Sequence, residues 1–259
     1  MERQTIWFTD TVVKSYETDF QGRWKPACFV MAMIEAATQH AAALGFDFQS
    51  LMERNMVWVL SRFKVRFLHF PTVGDKVAIK TWPKGIQQRL FFLRDFELRD
   101  EGGQMLAVAS YAWLLMDPVA RRLLYPQSVM QAFGQGVPDN GGLSALDDPL
   151  DRLNPPDGLP ERLVASASYS AVDMLGHANA SRYVEWVSDC FSPEEHRGRQ
   201  IAWLQVNYNN ETRPGERLSI CAGQNGDDNG TWYFQGKNLD TGAKSFEAAL
   251  AWNKDGSPA

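Results

Sequence analysis

The sequence predicts an α+β fold made of two similar halves, each containing one long helix and several antiparallel strands. Two observations carry this prediction. One phrase occurs twice, at residues 15–25 and 168–179, about 150 residues apart. After each copy, a helical run containing many apolar residues precedes strand-like runs that are separated by turn residues. Two copies of one supersecondary unit indicate a duplicated domain.

The two copies differ at the position that carries the most chemistry. With one inserted residue they align at three places, which are Asp19 with Asp173, Gly22 with Gly176 and Arg23 with His177. Ten residues beyond each aspartate, an aromatic residue lies in the helical run, Phe29 or Tyr183. We therefore expect the second half to act on a substrate and the first half to shape the site.

The length and composition suit a globular protein with two modest cores. The chain has 259 residues, of which 44% are apolar. We predict a first domain at residues 1–134, a linker rich in Gly, Pro and Asp at 135–160, and a second domain at 161–259. A net charge of −5 argues against nucleic acid as a partner. No apolar run approaches the roughly 18 residues needed to span a bilayer.

The cysteines and the first residues of the chain bear on its compartment. Three separated cysteines favour neither a disulfide framework nor a zinc site. Residues 1–4 lack the pattern of a signal peptide. The sequence therefore predicts a reducing, cytoplasmic location.

In the first half, Pro26 is suited to the first turn of a helix and Gly45 to its end. Residues 27–44 are apolar on nearly every side, so other structure must wrap this helix. Strands are predicted at residues 56–68, 76–82, 89–99 and 105–116, with turns at 74–75 and 101–103.

The second half repeats this order of elements. A helix is predicted at residues 181–191, strands at 203–208, 217–222, 231–238 and 246–252, and a turn at 240–242. A long helix wrapped by a meander of strands describes a hotdog unit. We expect two such units, paired as a pseudo-dimer with joined sheets.

Candidate site residues cluster at the start of the second helix. Asp173, His177 and Asn179 lie just before it or at its first residues. Unsatisfied N–H groups at a helix start can stabilise an oxyanion that forms on a carbonyl. Glu211 follows a strand-like run about 34 residues later, where a carboxylate could activate water.

At these residues the chain resembles the acyl-carrier-protein thioesterases of plants and bacteria, which are tandem hotdog hydrolases. The resemblance covers nearly the whole length. It rests on residues 15–19, 57–62, 74–75, 112–117 and 121–122 in the first half, and on Asp173, Met174, Gly176, His177, Asn179, Tyr208 and Glu211 in the second.

The resemblance implies hydrolysis of fatty acyl thioesters on acyl carrier protein, in fatty acid biosynthesis. It makes Asp173, His177 and Glu211 the catalytic residues. Glu211, with His177, would activate water, and Asp173 would orient the site. Asn179, Leu175 and Gly176 occupy the positions that would help to bind or orient the substrate.

The chain departs from the family's motif, which reads Asp-Met-Asn-x-His-Val-Asn-Asn. Leu175 stands at its first asparagine and Ala180 at its last. Losing one polar contact to the transition state commonly costs about 10²–10³ in rate. Four other amides could substitute for the lost one, namely Gln21, Gln205, Asn209 and Asn210. Plant members have Cys where this chain has Thr212, so a thiol nucleophile is not expected.

Arg62, Lys64 and Arg66 alternate with apolar residues, so at strand spacing they share one face. This face is either an ordinary solvated strand face or a docking ridge for the acidic carrier. Arg121 and Arg122 are further candidate contacts.

Two other functions stay open at this stage. An acyl-CoA thioesterase would differ only in the donor, and an acyl-thioester binding protein would have lost hydrolysis with Leu175. A hotdog hydratase fits the Asp, His and Glu pattern less well. No metal ion or other cofactor is implied, and the chain could be a monomer or a homodimer.

Overall fold

The computed structural model describes residues 5–133, 136, 140–225 and 230–253. They form two compact units. The first unit takes residues up to Trp24, Phe29–Phe63 and Phe70–Leu150, and the second takes Lys25–Cys28, Lys64–His69 and residues from Asp151 onward. The predicted domain boundary at 134/135 and the residues 1–4 lie outside the described residues.

The first unit is an antiparallel sheet with one long helix. Its elements are β1 (Trp7–Val12), α1 (Pro26–Ala43), α2 (Phe48–Met52), β2 (Val57–Phe67), β3 (Lys76–Gln87), β4 (Phe91–Asp100), β5 (Met105–Asp117), β6 (Arg122–Leu124) and α3 (Pro126–Ala132). The strand order is β1-β3-β4-β5-β2, and β6 pairs with β5. The last residues of β2 are counted with the second unit.

The second unit repeats the plan. Its elements are β7 (Glu161–Ser166), α4 (Ala180–Asp189), α5 (Pro193–His196), β8 (Ile201–Tyr208), β9 (Arg217–Gln224), β10 (Trp232–Asn238) and β11 (Lys244–Trp252). The strand order is β8-β11-β10-β9-β7. Each unit therefore has the hotdog arrangement, and the predicted α+β, tandem hotdog fold class is confirmed.

The helix α1 begins and ends where the sequence predicts. Pro26 is its first residue, and Gly45 closes it with a φ of +86°, a conformation that glycine adopts without steric cost. Phe29, Met33 and Ala36 are fully buried along its length. Because so much of this helix is apolar, burial within the unit stabilises it more than its intrinsic propensity does.

The alternation in β2 also appears as predicted. Phe63, Val65 and Phe67 are fully buried, while Lys64 is half-buried and Arg66 is exposed on the other face. In the second unit, the Tyr183 ring of α4 packs edge-on against Phe246 of β11, with ring centroids 5.2 Å apart. These buried faces fix the register of each sheet, because a shift by one residue would expose them.

The described part of the predicted linker has fixed partners. In the first unit, the Ala145 N–H donates to Asp95 Oδ2 at 2.8 Å, and Lys84 Nζ donates to the Leu146 carbonyl at 2.6 Å. In the second unit, Gln205 Nε2 donates to the Asp151 carbonyl at 2.7 Å. This segment therefore bonds through its backbone, which explains why its sequence shows no hydrophobic periodicity.

Candidate active site

The loop before α4 is held by its own hydrogen bonds. The Asp173 N–H donates to the His177 carbonyl at 2.9 Å, and the Gly176 N–H donates to the Asp173 carbonyl at 3.0 Å. Asp173 Oδ1 accepts from the Leu175 N–H at 2.9 Å. Gly176 has a φ of +79°, which explains the glycine. Asp173 therefore shapes the turn that carries His177.

His177 and Glu211 form a pair. His177 Nε2 lies 3.1 Å from Glu211 Oε2, with the side chains 31% and 34% exposed. The residues that follow them in the chain are also bonded, because the Ala178 N–H donates to the Thr212 carbonyl at 2.9 Å. The backbone therefore holds His177 and Glu211 together. A carboxylate can only accept, so Nε2 carries the proton. Nδ1 of His177 has no partner among the residues that the structure describes.

The first copy has the same loop with different chemistry. The Asp19 N–H donates to the Arg23 carbonyl at 2.8 Å, and the Gly22 N–H donates to the Asp19 carbonyl at 3.0 Å. The alignment of the two phrases is therefore confirmed bond by bond. The Arg23 side chain, however, pairs with its own Asp19, with Nη2 2.9 Å from Oδ2.

The position in the first copy that corresponds to Glu211 is apolar. The Trp24 N–H donates to the Pro71 carbonyl at 2.8 Å, which matches the bond from Ala178 to Thr212. The residue before Pro71 is Phe70, whereas the residue before Thr212 is Glu211. The first copy therefore has neither the histidine nor the carboxylate of the second.

Thr212 belongs to a buried hydroxyl chain. The Tyr183 hydroxyl donates to Thr212 Oγ1 at 2.9 Å, and Thr212 Oγ1 lies 3.2 Å from Ser245 Oγ. Burial raises the pKa of Tyr183 to about 12, so its phenol stays neutral at physiological pH. These residues hold the loop after β8 that carries Glu211. The contact could not be predicted from the sequence, because Tyr183, Thr212 and Ser245 lie far apart in the chain.

The start of α4 offers backbone donors. Asn179 caps the helix, because its Oδ1 accepts from the Ser181 N–H at 3.0 Å. Tyr208 donates its hydroxyl to the Ala180 carbonyl at 2.7 Å, which ties the helix to β8. The Ala180 N–H has no acceptor in the described part of the chain, so it is a candidate donor to a ligand.

Leu175 lies on this loop with 42% of its surface exposed, beside the exposed Met174. The four amides proposed to replace the motif's asparagine are engaged to different extents. Gln205 and Asn210 each donate their amide to a backbone carbonyl, and Gln21 lies in the first copy. Asn209 Nδ2 is buried without a hydrogen-bond partner among the described atoms.

The predicted carrier contacts are partly used within each unit. Arg62 Nη1 donates to the Leu150 carbonyl at 3.1 Å, and its guanidinium lies 4.5 Å from the centre of the Phe91 ring. Lys64 Nζ lies 5.2 Å from the centre of the Trp203 ring. Arg66 and Arg121 are exposed.

A mostly apolar cavity lies in the first unit. Its volume is about 110 Å³, and α1 contributes Ala37, Thr38 and Ala41 to its wall. The sheet contributes Phe92 and Trp113, among others. Because one water molecule needs roughly 10–15 Å³ of such volume, the cavity has room for a short aliphatic segment.

The described residues contain no group of three or more His, Cys, Asp or Glu side chains placed to hold a metal ion. None of their helices is long and apolar enough to cross a membrane.

Comparison with protein families gives matches to both halves. Residues 7–131 match the acyl-ACP thioesterase N-terminal domain, and residues 161–254 match the acyl-ACP thioesterase C-terminal domain. Among curated relatives, acyl-[acyl-carrier-protein] hydrolase FATB2 of Cuphea viscosissima is 23% identical over 77% of this chain and 50% of its own length. Dodecanoyl-[acyl-carrier-protein] hydrolase of Umbellularia californica is 26% identical over 77% and 54%. The chain thus spans about half the length of the curated relatives it matches.

Solved structures share the fold. An acyl-ACP thioesterase from Bacteroides thetaiotaomicron superposes with a TM-score of 0.79 at 23% identity, covering 96% of this chain and 98% of the other. The 12:0-ACP thioesterase from Umbellularia californica gives 0.75 at 22% identity, covering 96% and 98%.

Proposed function

The chain belongs to the acyl-ACP thioesterase family, and we propose that it hydrolyses fatty acyl thioesters on acyl carrier protein, to give free fatty acid and holo-carrier. The observation that carries this proposal is the pair of His177 and Glu211, 3.1 Å apart beside the start of a helix. It occurs in the second copy, where the first has Arg23 and Phe70.

In this proposal, Glu211 is the general base. The Nε2–H of His177 holds one carboxylate oxygen, and the other takes a proton from water. The water oxygen forms a bond to the thioester carbon, and the carbonyl oxygen becomes an oxyanion. The Ala180 N–H, at the positive end of α4, donates to that oxyanion.

The tetrahedral intermediate then collapses. The carbon–sulfur bond breaks, and the leaving thiolate takes the proton from Glu211, which returns the carboxylate to its starting state. Asp173 is a positioning residue here, because its backbone and Oδ1 fix the turn that carries His177. Gly176 serves the same turn. No cofactor enters any of these steps.

The acyl chain and the carrier protein of the substrate are assigned to other surfaces. We assign the acyl chain to the cavity beside α1, because its wall is mostly apolar. We assign the acidic carrier to the exposed cations Arg66, Arg121 and Arg122, with Arg62 and Lys64 as further candidates. The guanidinium of Arg62 also binds a carbonyl and a ring. The three free cysteines fit the proposed cytoplasmic location.

The test is release of free thiol from acyl carrier proteins of several chain lengths, beside matched acyl-CoAs. Turnover on carrier substrates at higher kcat/KM than on CoA supports the proposal. Higher kcat/KM on acyl-CoA would instead assign the CoA thioester as the donor. Saturable acyl-ligand binding without thiol release from any donor would refute hydrolysis and favour a binding protein.

A further inference from the structure

The lining of the first unit's cavity is mostly apolar and includes one charged side chain, that of Arg94. A guanidinium group donates hydrogen bonds and does not accept them. A purely aliphatic ligand would cover this cation without giving it a countercharge, and a buried charge without a partner is unfavourable.

Arg94 is also a cation without a carboxylate partner in the described part of the chain. Its Nη1 lies 2.9 Å from His40 Nδ1 and 3.3 Å from Thr81 Oγ1. Since the guanidinium cannot accept, His40 Nδ1 must be the acceptor and therefore carries no proton. Burial lowers the pKa of Arg94 to about 10, yet it remains charged at neutral pH.

The neighbouring carboxylate does not neutralise Arg94. Asp95 lies next to it on β4, where successive side chains point to opposite faces. Its Oδ2 binds Lys84 Nζ at 3.1 Å and the Ala145 N–H, and its Oδ1 accepts from the Ser110 hydroxyl at 2.5 Å. The charge on Arg94 therefore stays unbalanced on the other face of the strand.

We propose that this cavity binds the carboxylate of an aliphatic chain, with Arg94 as its countercharge. The apolar part of the wall, including Ala37 and Phe92, contacts the hydrocarbon. The carboxylate has two sources. It is either the far end of an acyl thioester that carries a second acid group, or a free fatty acid.

Binding is measured first by calorimetry, with octanoate and 1-octanol as matched probes. Octanoate is expected to bind at least about tenfold more tightly than 1-octanol, as a charged hydrogen bond requires. Arg94→Met should remove that difference and Arg94→Lys should keep part of it. Arg99→Met is the matched control, because Arg99 is a cation on the same strand that bonds to Gly103 outside the cavity.

Two outcomes would overturn the proposal. One is equal affinity for the acid and the alcohol in the wild-type protein. The other is discrimination that Arg94→Met leaves intact. If Arg94→Met does not fold, Arg94→Gln replaces it, since the glutamine amide keeps an N–H donor for His40 Nδ1 and removes the charge. Arg94→Gln should reduce the preference for octanoate about tenfold, and an unchanged preference would contradict the proposal.

A kinetic arm, which rests on the proposed function, separates the two sources. It compares carrier thioesters of nonanoic acid and of the nine-carbon dicarboxylic acid. A higher kcat/KM for the dicarboxylic chain, lost in Arg94→Met, identifies the substrate's far end. No such preference, together with octanoate binding, identifies a free fatty acid. If octanoate binds as expected but no thioester turns over, thioesterase activity fails and the carboxylate site stands.

Discussion

The pair of His177 and Glu211 gives the sharpest test of the catalytic assignment. Glu211→Gln keeps the size of the side chain and removes its basicity. General base catalysis contributes about 10²–10⁴ in rate, which corresponds to about 2.7–5.4 kcal/mol of activation free energy. We therefore expect kcat to fall by about 10³ on acyl carrier substrates.

The same change should hardly affect stability. Both side chains are about one-third exposed, and an ion pair in such a position contributes about 0.5 kcal/mol or less. In a chain of this size, that corresponds to a shift in Tm of about 2 °C or less. A large loss of rate without a matching loss of Tm therefore separates a catalytic role from a structural one.

A double-variant cycle asks whether the two residues act together. If His177 works by holding Glu211, His177→Ala/Glu211→Gln should lose little more than Glu211→Gln alone. Independent roles would instead multiply the two losses. If His177→Ala costs more than Glu211→Gln, the imidazole Nδ1 is the base and Glu211 its orienting partner. Thiol release measured at saturating substrate gives kcat for each variant.

Two controls accompany the cycle. Glu194→Gln makes the same chemical change on the short helix α5, where the residue is exposed. Arg23→Ala changes the aligned loop position of the first copy. Both should keep kcat within about twofold. The reasoning is refuted if Glu211→Gln keeps more than about one-tenth of wild-type kcat, or if Arg23→Ala loses as much as His177→Ala.

Four further results are expected. Leu175→Asn, at an exposed position, should raise kcat by about tenfold or more if the missing amide acts on the transition state; unchanged kcat would point to a substitute group. Gly236→Ala would place a Cβ 2.0 Å from the Phe246 ring, so thermal unfolding should show a loss of about 3 kcal/mol, and an unchanged Tm would contradict this packing. Burial raises the pKa of Cys190 to about 12, so at pH 8 about 10⁻⁴ of this thiol is ionised. Ellman's reagent should therefore modify the half-buried Cys221 before Cys190. Rapid reaction of Cys190 would refute its burial. KM for carrier substrates should rise with salt, because exposed cations are screened, and a salt-insensitive KM would count against docking by charge.

Much of the fold could be predicted because its signals are local. The aspartate-to-glycine turn repeats in sequence because each member bonds to residues within four positions of it. The bounds of α1 follow from Pro26 and Gly45, which act on the backbone at their own positions. Strand β2 follows from its alternation. The sequence analysis gave no ranges for the short elements β1, β6, β7, α2, α3 and α5, because so few residues show no clear period.

The parts of the site that depend on distant contacts could not be predicted in the same way. The sequence pointed to His177 and Glu211 as separate candidates, but the distance between them depends on the backbone bond from Ala178 to Thr212. Likewise, an alternating strand pattern says nothing of which charge lies beside a cavity. Arg94 follows apolar residues in β4, and its lack of a carboxylate partner is visible only when Asp95 is seen to bind elsewhere.

The difference between the two helices explains how the copies divide the work. Each begins seven residues after its aspartate, yet α1 has 18 residues and α4 has 10. Asp189, the last residue of α4, therefore corresponds to Glu35 of α1. Ala37, Thr38 and Ala41, which line the cavity, all lie in the part that α4 lacks. The helical residues of the cavity wall thus lie in the eight residues by which α1 exceeds α4, and the absence of a His and Glu pair from the first copy does not affect that wall.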